Sequence, residues 1–281
     1  MEIACHTWAF NDKSLVEALG TIARLGFRYV DIGSGPHINV AQVARNPRAA
    51  AAAIRRDLDI FNLKLGDLYL MLPRISLPDD TRRKKEIDTF RALLPFIIAL
   101  EAPGVTVSPG LAYPDNDATA YDRVVESLNT LMEAARQATP ATRLRVSIEP
   151  HMDSMAQKPD VALQLLKDVD GLELTIDWAH LVCQDVFHDD IVKLIPKARH
   201  IQLRQAARAQ LQLPFERGRI DVEKVMIALD EAGYEGLVSV EYLRTHGWHG
   251  TEEVDAITEI ATMRDHIRDA RDRLAESKEA T

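Results

Sequence analysis

Two periods of hydrophobic patterning alternate along this chain. Short runs rich in Val, Ile and Leu recur at 2–6, 29–32, 63–70, 105–107, 144–149, 172–177, 200–203 and 237–242. Their length and β-branched content predict strands. Several are almost continuously apolar, the pattern of parallel strands covered by helices. Between them, apolar positions recur at three and four residues, as on one face of a helix. Ser14 is placed to cap the first such stretch, with Leu15, Leu19, Ile22 and Leu25 along one face and Gly26 ending it. Asp221 and Gly233 bracket a similar stretch over 222–232. Eight strands alternating with eight helices predict one (β/α)8 TIM barrel, an α/β fold, over residues 1–281. No linker or low-complexity tract divides the chain. From about residue 251 a charged tail without proline, and without glycine after Gly247 and Gly250, reads as the last covering helix. It is also where a homo-oligomer contact would form.

Composition narrows the class. A formal net charge of -9 offers no general attraction to nucleic acid or an anionic membrane surface. The longest apolar run, 92–100, contains Pro95 and is too short to cross a bilayer. Cys5 and Cys183 have no metal-pair spacing, and Met1 leads directly into a strand, so a reduced cytoplasmic location is expected.

Candidate chemistry sits at strand ends. Glu149, Asp177, His200 and Glu241 each belong to one of four successive strands. In a closed parallel barrel such ends face one shared pocket. A lone acid after a strand is usually a helix cap or a surface residue; the repetition distinguishes this set. Three oxygen donors and one nitrogen suit one divalent metal ion, Mn2+ first, with Mg2+, Co2+ or Zn2+ as alternatives. A carbonyl and hydroxyl chelated there would lose a neighbouring proton to give an enediolate. Glu149 and Glu241 are the expected pair of proton-handling groups, with His151 as the base if both acids are ligands only. His6, Trp8, Tyr69 and Tyr113 end or follow strands one, three and four, where they can line the mouth. Trp178 is expected in the core. The loop 244–249, containing His246, has groups suited to binding polyols or forming a lid.

On these residues the chain resembles the xylose isomerase-like TIM barrels, the group of sugar isomerases and epimerases that also contains endonuclease IV. In the ketose 3-epimerase branch a Glu, an Asp, a His and a Glu on four successive strands hold one divalent metal, matching Glu149, Asp177, His200 and Glu241. The resemblance gives His180, three residues after Asp177, a contact with substrate. It also implies an acid six residues after the first Glu, where Met155 stands, and an Arg six residues after the His, where Ala206 stands between Arg204 and Arg208. One of those two arginines is expected to take over the substrate contact. The implied activity is epimerisation or isomerisation of a small carbohydrate. The runner-up is a lyase acting on a 3-oxo-glycoside or a dehydroshikimate-like ring, in which the same enediolate expels a group. An endonuclease IV-like repair enzyme fits poorly, because it needs many histidines for a zinc cluster and a basic groove.

Overall fold

The computed structural model describes residues 1–114 and 117–279; the last two residues of the tail assigned above lie outside the described residues. Eight parallel strands close into a barrel in chain order. They are β1 Glu2–His6, β2 Tyr29–Gly33, β3 Lys64–Leu70, β4 Val105–Val107, β5 Val146–Ile148, β6 Glu173–Asp177, β7 Ala198–Leu203 and β8 Leu237–Val240. The helices are α1 Leu15–Arg24, α2 Val40–Val43, α3 Pro47–Ile60, α4 Asp80–Ala99, α5 Ala120–Ala138, α6 Pro159–Asp168, α7 Trp178–Cys183, α8 His188–Val192, α9 Val222–Glu231 and α10 Ala256–Glu279. The architecture is the (β/α)8 barrel predicted from the patterning. Among the described residues two more helices occur than the eight expected, because the β2–β3 and β6–β7 connections each contain two.

Local chemistry sets the boundaries. Ser14 and Glu17 form a reciprocal capping box at the start of α1, and Asp221 accepts the Lys224 N–H at the start of α9. Gly26 and Gly233 follow these helices at φ +83° and +66°, a region that side chains with a Cβ enter at a cost. The outward strand residues Ile32, Leu68, Val107, Ile148, Ile176, Ile201 and Val238 are buried beneath the helices.

The barrel interior is unusually polar for a fold whose centre is commonly filled by branched apolar side chains. Two breaks in register explain part of this. Between β6 and β7, Leu174 pairs with Ala198 and Thr175 with His200, so Arg199 is one extra residue and both it and His200 reach inward. Between β2 and β3, Val30 pairs with Leu65 and Asp31 with Asp67, leaving Gly66 as the extra residue. A Cβ on Gly66 would lie 2.6 Å from Asp31 Oδ1, so only glycine leaves room for that carboxylate. Arg199 Nη2 lies 2.7 Å from Asp67 Oδ1 and donates to Ser147 Oγ at 2.8 Å and Thr106 Oγ1 at 2.9 Å. This buried pair ties β3, β4, β5 and β7 together across the barrel.

Removing one member of such a pair leaves the other charged, buried and unpaired. Asp67→Ala is therefore expected to cost about 3–5 kcal/mol of stability, read from the urea midpoint. An unchanged midpoint would show that the pair does not brace the barrel.

Candidate active site

At the C-terminal ends of the strands, buried charges gather. Glu149 follows β5, Asp177 ends β6 and Glu241 follows β8; each is at most 3% exposed. Asp177 also caps α7, its Oδ1 accepting the Ala179 N–H at 2.8 Å. That cap starts a helix directly at the strand end, so His180 lies on α7. Its Nε2 is 3.7 Å from Glu149 Oε1 and 3.6 Å from Asp177 Oδ2. Both separations exceed a direct hydrogen bond. The other ring nitrogen, Nδ1, accepts the Met152 N–H at 3.1 Å. A neutral His180 must then have its proton on Nε2, the atom facing the acids. Burial, and secondarily Arg204, holds its pKa well below the usual imidazole value, so the ring is neutral.

Arg204 is the only full cation in this cluster among the described residues, and it is completely buried. Nη1 lies 2.7 Å from Asp177 Oδ2 and 3.9 Å from Glu241 Oε2, while donating to the main-chain carbonyl of Glu241 at 3.1 Å. Nε donates to the Leu211 carbonyl at 3.3 Å, and Nη2 has no hydrogen-bond partner. The Arg204–Asp177 contact is one of charge rather than a directed hydrogen bond, since Asp177 Oδ2 accepts none. Glu149 is fixed differently: Tyr69 Oη donates to its Oε2 at 2.5 Å. Trp8 stands behind Tyr69, with ring centroids 4.8 Å apart, and packs on His6 at 4.4 Å.

One guanidinium does not balance three buried carboxylates. Burial, reinforced by the charge of Asp177, pushes Glu149 up to about 8 and Glu241 well above the usual range. Burial also raises Asp177, against the opposing pull of Arg204. With all three acids ionised, two negative charges are left over, which is the charge of one divalent cation. The open atoms agree: Glu241 Oε2 and both amide atoms of Gln202 are buried without a hydrogen bond, and Asp177 Oδ2 has only its charge contact with Arg204. Orphaned buried acceptors of this kind call for a ligand. Glu149, Asp177, Glu241 and Gln202 fit a metal ion, and this donor set is chemically suitable for one.

The structure brings together most, but not all, of the residues singled out from sequence. His200 is not beside the acids. In register it faces Thr175, one inward step below Asp177, and its Nε2 lies 2.7 Å from Asp31 Oδ2. Gln202 is the residue opposite Asp177. The expectation of His200 as a metal ligand is corrected accordingly: β7 begins at Ala198, and the register break moves the strand-end position to 202. Counting six residues from Gln202 reaches Arg208, but its side chain is 72% exposed and pairs with Asp185 at 3.5 Å, outside the cluster. Tyr113 packs against the Arg123 guanidinium, 5.3 Å away, and is not among the acids. His246 is exposed. The same loop instead sets Trp248 over His180, with ring centroids 5.8 Å apart, and joins His249 to Asp153 at 2.6 Å. His151 has both nitrogens occupied: Nδ1 donates to the Met152 carbonyl at 2.7 Å and Nε2 accepts from Ser108 at 3.0 Å. It backs His180 and is not free to act as the base. His6 uses Nδ1 to accept the Trp8 N–H. Trp178 is in the core, as expected. Sequence reasoning missed Gln202 and Asp31; the signal for Gln202 was its two-residue offset from His200 on one strand face.

A family model for the xylose isomerase-like TIM barrel matches residues 19–269. The chain belongs to this family. Among solved structures it is similar to a D-psicose 3-epimerase from Clostridium cellulolyticum H10, crystallised with D-tagatose, at TM-score 0.73 and 16% identity, covering 96% of this chain and 99% of that one. It is also similar to an L-ribulose 3-epimerase, at TM-score 0.75 and 14% identity over 99% of this chain and 97% of that one. A third similar structure is a 3-keto-D-glucoside 4-epimerase from E. coli, at TM-score 0.70 and 16% identity over 95% and 99%. At these identities the likeness establishes a common fold. No curated protein matches the chain. Among the described residues no helix is long and apolar enough to cross a membrane.

The raised carboxyl of Glu149 has a consequence for stability. A folded pKa near 8 against 4.5 unfolded means that the folded state holds an extra proton between those values. Stability is then present at low pH and is lost as pH rises through that window. In chelator, the melting temperature is expected to fall between pH 5 and pH 8 (), and to fall less in Glu149→Gln. Equal slopes for the two proteins would contradict this electrostatic picture.

The metal assignment has its own check. Asp177→Ala is expected to abolish binding of one divalent ion per chain, whereas His200→Asn retains it, measured by elemental analysis with circular dichroism as a folding control. The opposite pattern would restore His200 as a ligand.

Proposed function

We propose that the protein is a divalent-metal-dependent epimerase or isomerase of a small sugar or sugar derivative, working by proton removal beside a carbonyl. The observation that carries this reading is the placement of two buried carboxyls, Glu149 and Glu241, on either side of Asp177 and its arginine partner, in a site two charges short of balance. The family and the likeness to ketose 3-epimerases and a keto-glucoside 4-epimerase support the substrate class.

The chemistry a divalent cation supplies when bound is polarisation of the substrate carbonyl, which acidifies the neighbouring C–H. The side chains do the rest. One of Glu149 and Glu241 removes the carbon-bound proton, and the other delivers a proton to the opposite face or to the adjacent carbon. Tyr69 fixes the Glu149 carboxyl by its short hydrogen bond. His180, neutral and with its Nε2–H directed at the acids, donates to a substrate oxygen. Arg204 Nη2 offers free donors to the negative charge that develops as the proton leaves. Trp248 packs edge-on against His180 and helps fix the orientation of its ring.

The test is deuterium uptake from D2O into a panel of ketoses and 3-keto-glucosides. Glu149→Gln and Glu241→Gln are each expected to slow exchange by about 10²–10⁴-fold. Wild-type exchange in both variants, on a substrate the protein turns over, would refute the two-carboxyl reaction.

A further inference from the structure

We propose that His249 is a positioning residue: it locks the loops that leave β5, β6, β7 and β8 into one rigid collar and so fixes the ring of His180. Its part in a reaction rests on the proposed function; the collar itself does not.

The backbone marks where the collar lies. Among the described residues, seven other than glycine have a left-handed backbone, with φ between +47° and +66°. Asn62, Glu101 and Arg143 lie in turns that lead from a helix into β3, β4 and β5, at the end of the barrel away from the acids. The other four fall one to each connection of the acid-bearing half: Asp153 after β5, Asp185 after the α7 that follows β6, Ala209 after β7 and His249 after β8. A Cβ makes this conformation costly, so it persists only where surrounding contacts enforce it, and such residues gather at functional sites.

His249 supplies the enforcing contacts. Its Nε2 lies 2.6 Å from Asp153 Oδ2, so two of the four left-handed residues meet side chain to side chain. Its carbonyl accepts the Leu211 N–H at 2.9 Å, and Cys183 Sγ, at the end of α7, lies 3.9 Å from the same oxygen. One residue therefore touches all three of the other loops. Those loops are also tied to each other. The Ala209 N–H donates to the Cys183 carbonyl at 2.8 Å, and a Cβ on Gly250 would lie 2.5 Å from the Ala209 carbonyl oxygen. Only glycine lets the last loop sit this close.

His180 is held between the two ends of this clasp. Met152, next to Asp153, donates its N–H to His180 Nδ1 at 3.1 Å, and Trp248, next to His249, packs edge-on with ring centroids 5.8 Å apart. The His249–Asp153 bridge thus joins the two neighbours that orient His180. Releasing it loosens both at once, and with them the direction of the Nε2–H that faces Glu149 and Asp177.

The test compares His249→Ala with His249→Gln, whose amide can restore a donor to Asp153, in the full chain. Amide hydrogen exchange at Met152, Ala209 and Leu211 is expected to quicken by about tenfold or more in His249→Ala (), to return towards the wild-type rate in His249→Gln, and to stay unchanged in the barrel strands of both. In deuterium uptake into the same panel of ketoses and 3-keto-glucosides, His249→Ala is expected to lower kcat by about 10–10²-fold () at unchanged Mn2+ content. Wild-type exchange at all three amides in His249→Ala, or a rise shared by the barrel strands, would overturn the collar. Quickened amides with an unaltered kcat would overturn the positioning role. A wild type that takes up no deuterium from any member of the panel would remove the proposed function, and the amide rates would still decide the collar.

Discussion

The contact between Arg204 and Asp177 is the constraint around which the mouth of this barrel is organised. A guanidinium and carboxylate 2.7 Å apart, both inaccessible to solvent, depend on further bonds to offset their burial, and here part of that capacity, Arg204 Nη2 and Asp177 Oδ2, is left open towards the pocket. Arg204 is held by two main-chain carbonyls, those of Leu211 and Glu241, and Asp177 by the first turn of α7. Adding Glu149 and Glu241 overloads the pocket with negative charge. Protonation relieves this in the absence of metal, and a divalent cation relieves it otherwise. On the proposed function, proton affinity, metal affinity and the ability to handle a substrate proton would all follow from this one charge imbalance.

The scaffold beneath is arranged to tolerate this. Below the acids lie Asp31 hydrogen-bonded to His200, and Asp67 ion-paired with Arg199, so the barrel is braced by buried polar pairs instead of layers of branched side chains. Burial alone would raise the pKa of Asp31, but His200, His6 and Ser239 together outweigh it and hold the carboxyl below its usual value. Each of these pairs owes its position to a register break: Arg199 is the extra residue on β7, and Gly66, the extra residue on β3, clears space for Asp31. The breaks therefore carry function as well as shape.

Much of this was legible in the chain. The eight strands stand out because short Val-, Ile- and Leu-rich runs alternate with stretches of helical period, even where polar residues break the inward face, and the helix starts at Ser14 and Asp221 are written in their capping side chains. Glu149, Asp177 and Glu241 could be read because strand ends in a closed barrel share one direction. His200 could not be placed correctly, because it faces inward as expected but one inward step below Asp177, and the register break that sets this depth leaves no mark in the hydrophobic pattern. Arg208 and Tyr113 show a different limit: both follow strand ends, yet loop conformation turns one to solvent and the other onto Arg123. The same limit separates His246 from Trp248, two residues apart on one loop, of which only the second packs on His180.

The charge imbalance can be measured most directly by counting protons. Calorimetric titration of the metal-free protein with Mn2+ at pH 7, repeated in buffers of different ionisation enthalpy, gives the number of protons released per ion bound. Because Glu149 is raised to about 8 and Glu241 lies well above its usual range, binding is expected to release at least one proton per chain (). Metal binding with no proton release would mean that the acids were already ionised and would contradict the electrostatic basis of the site.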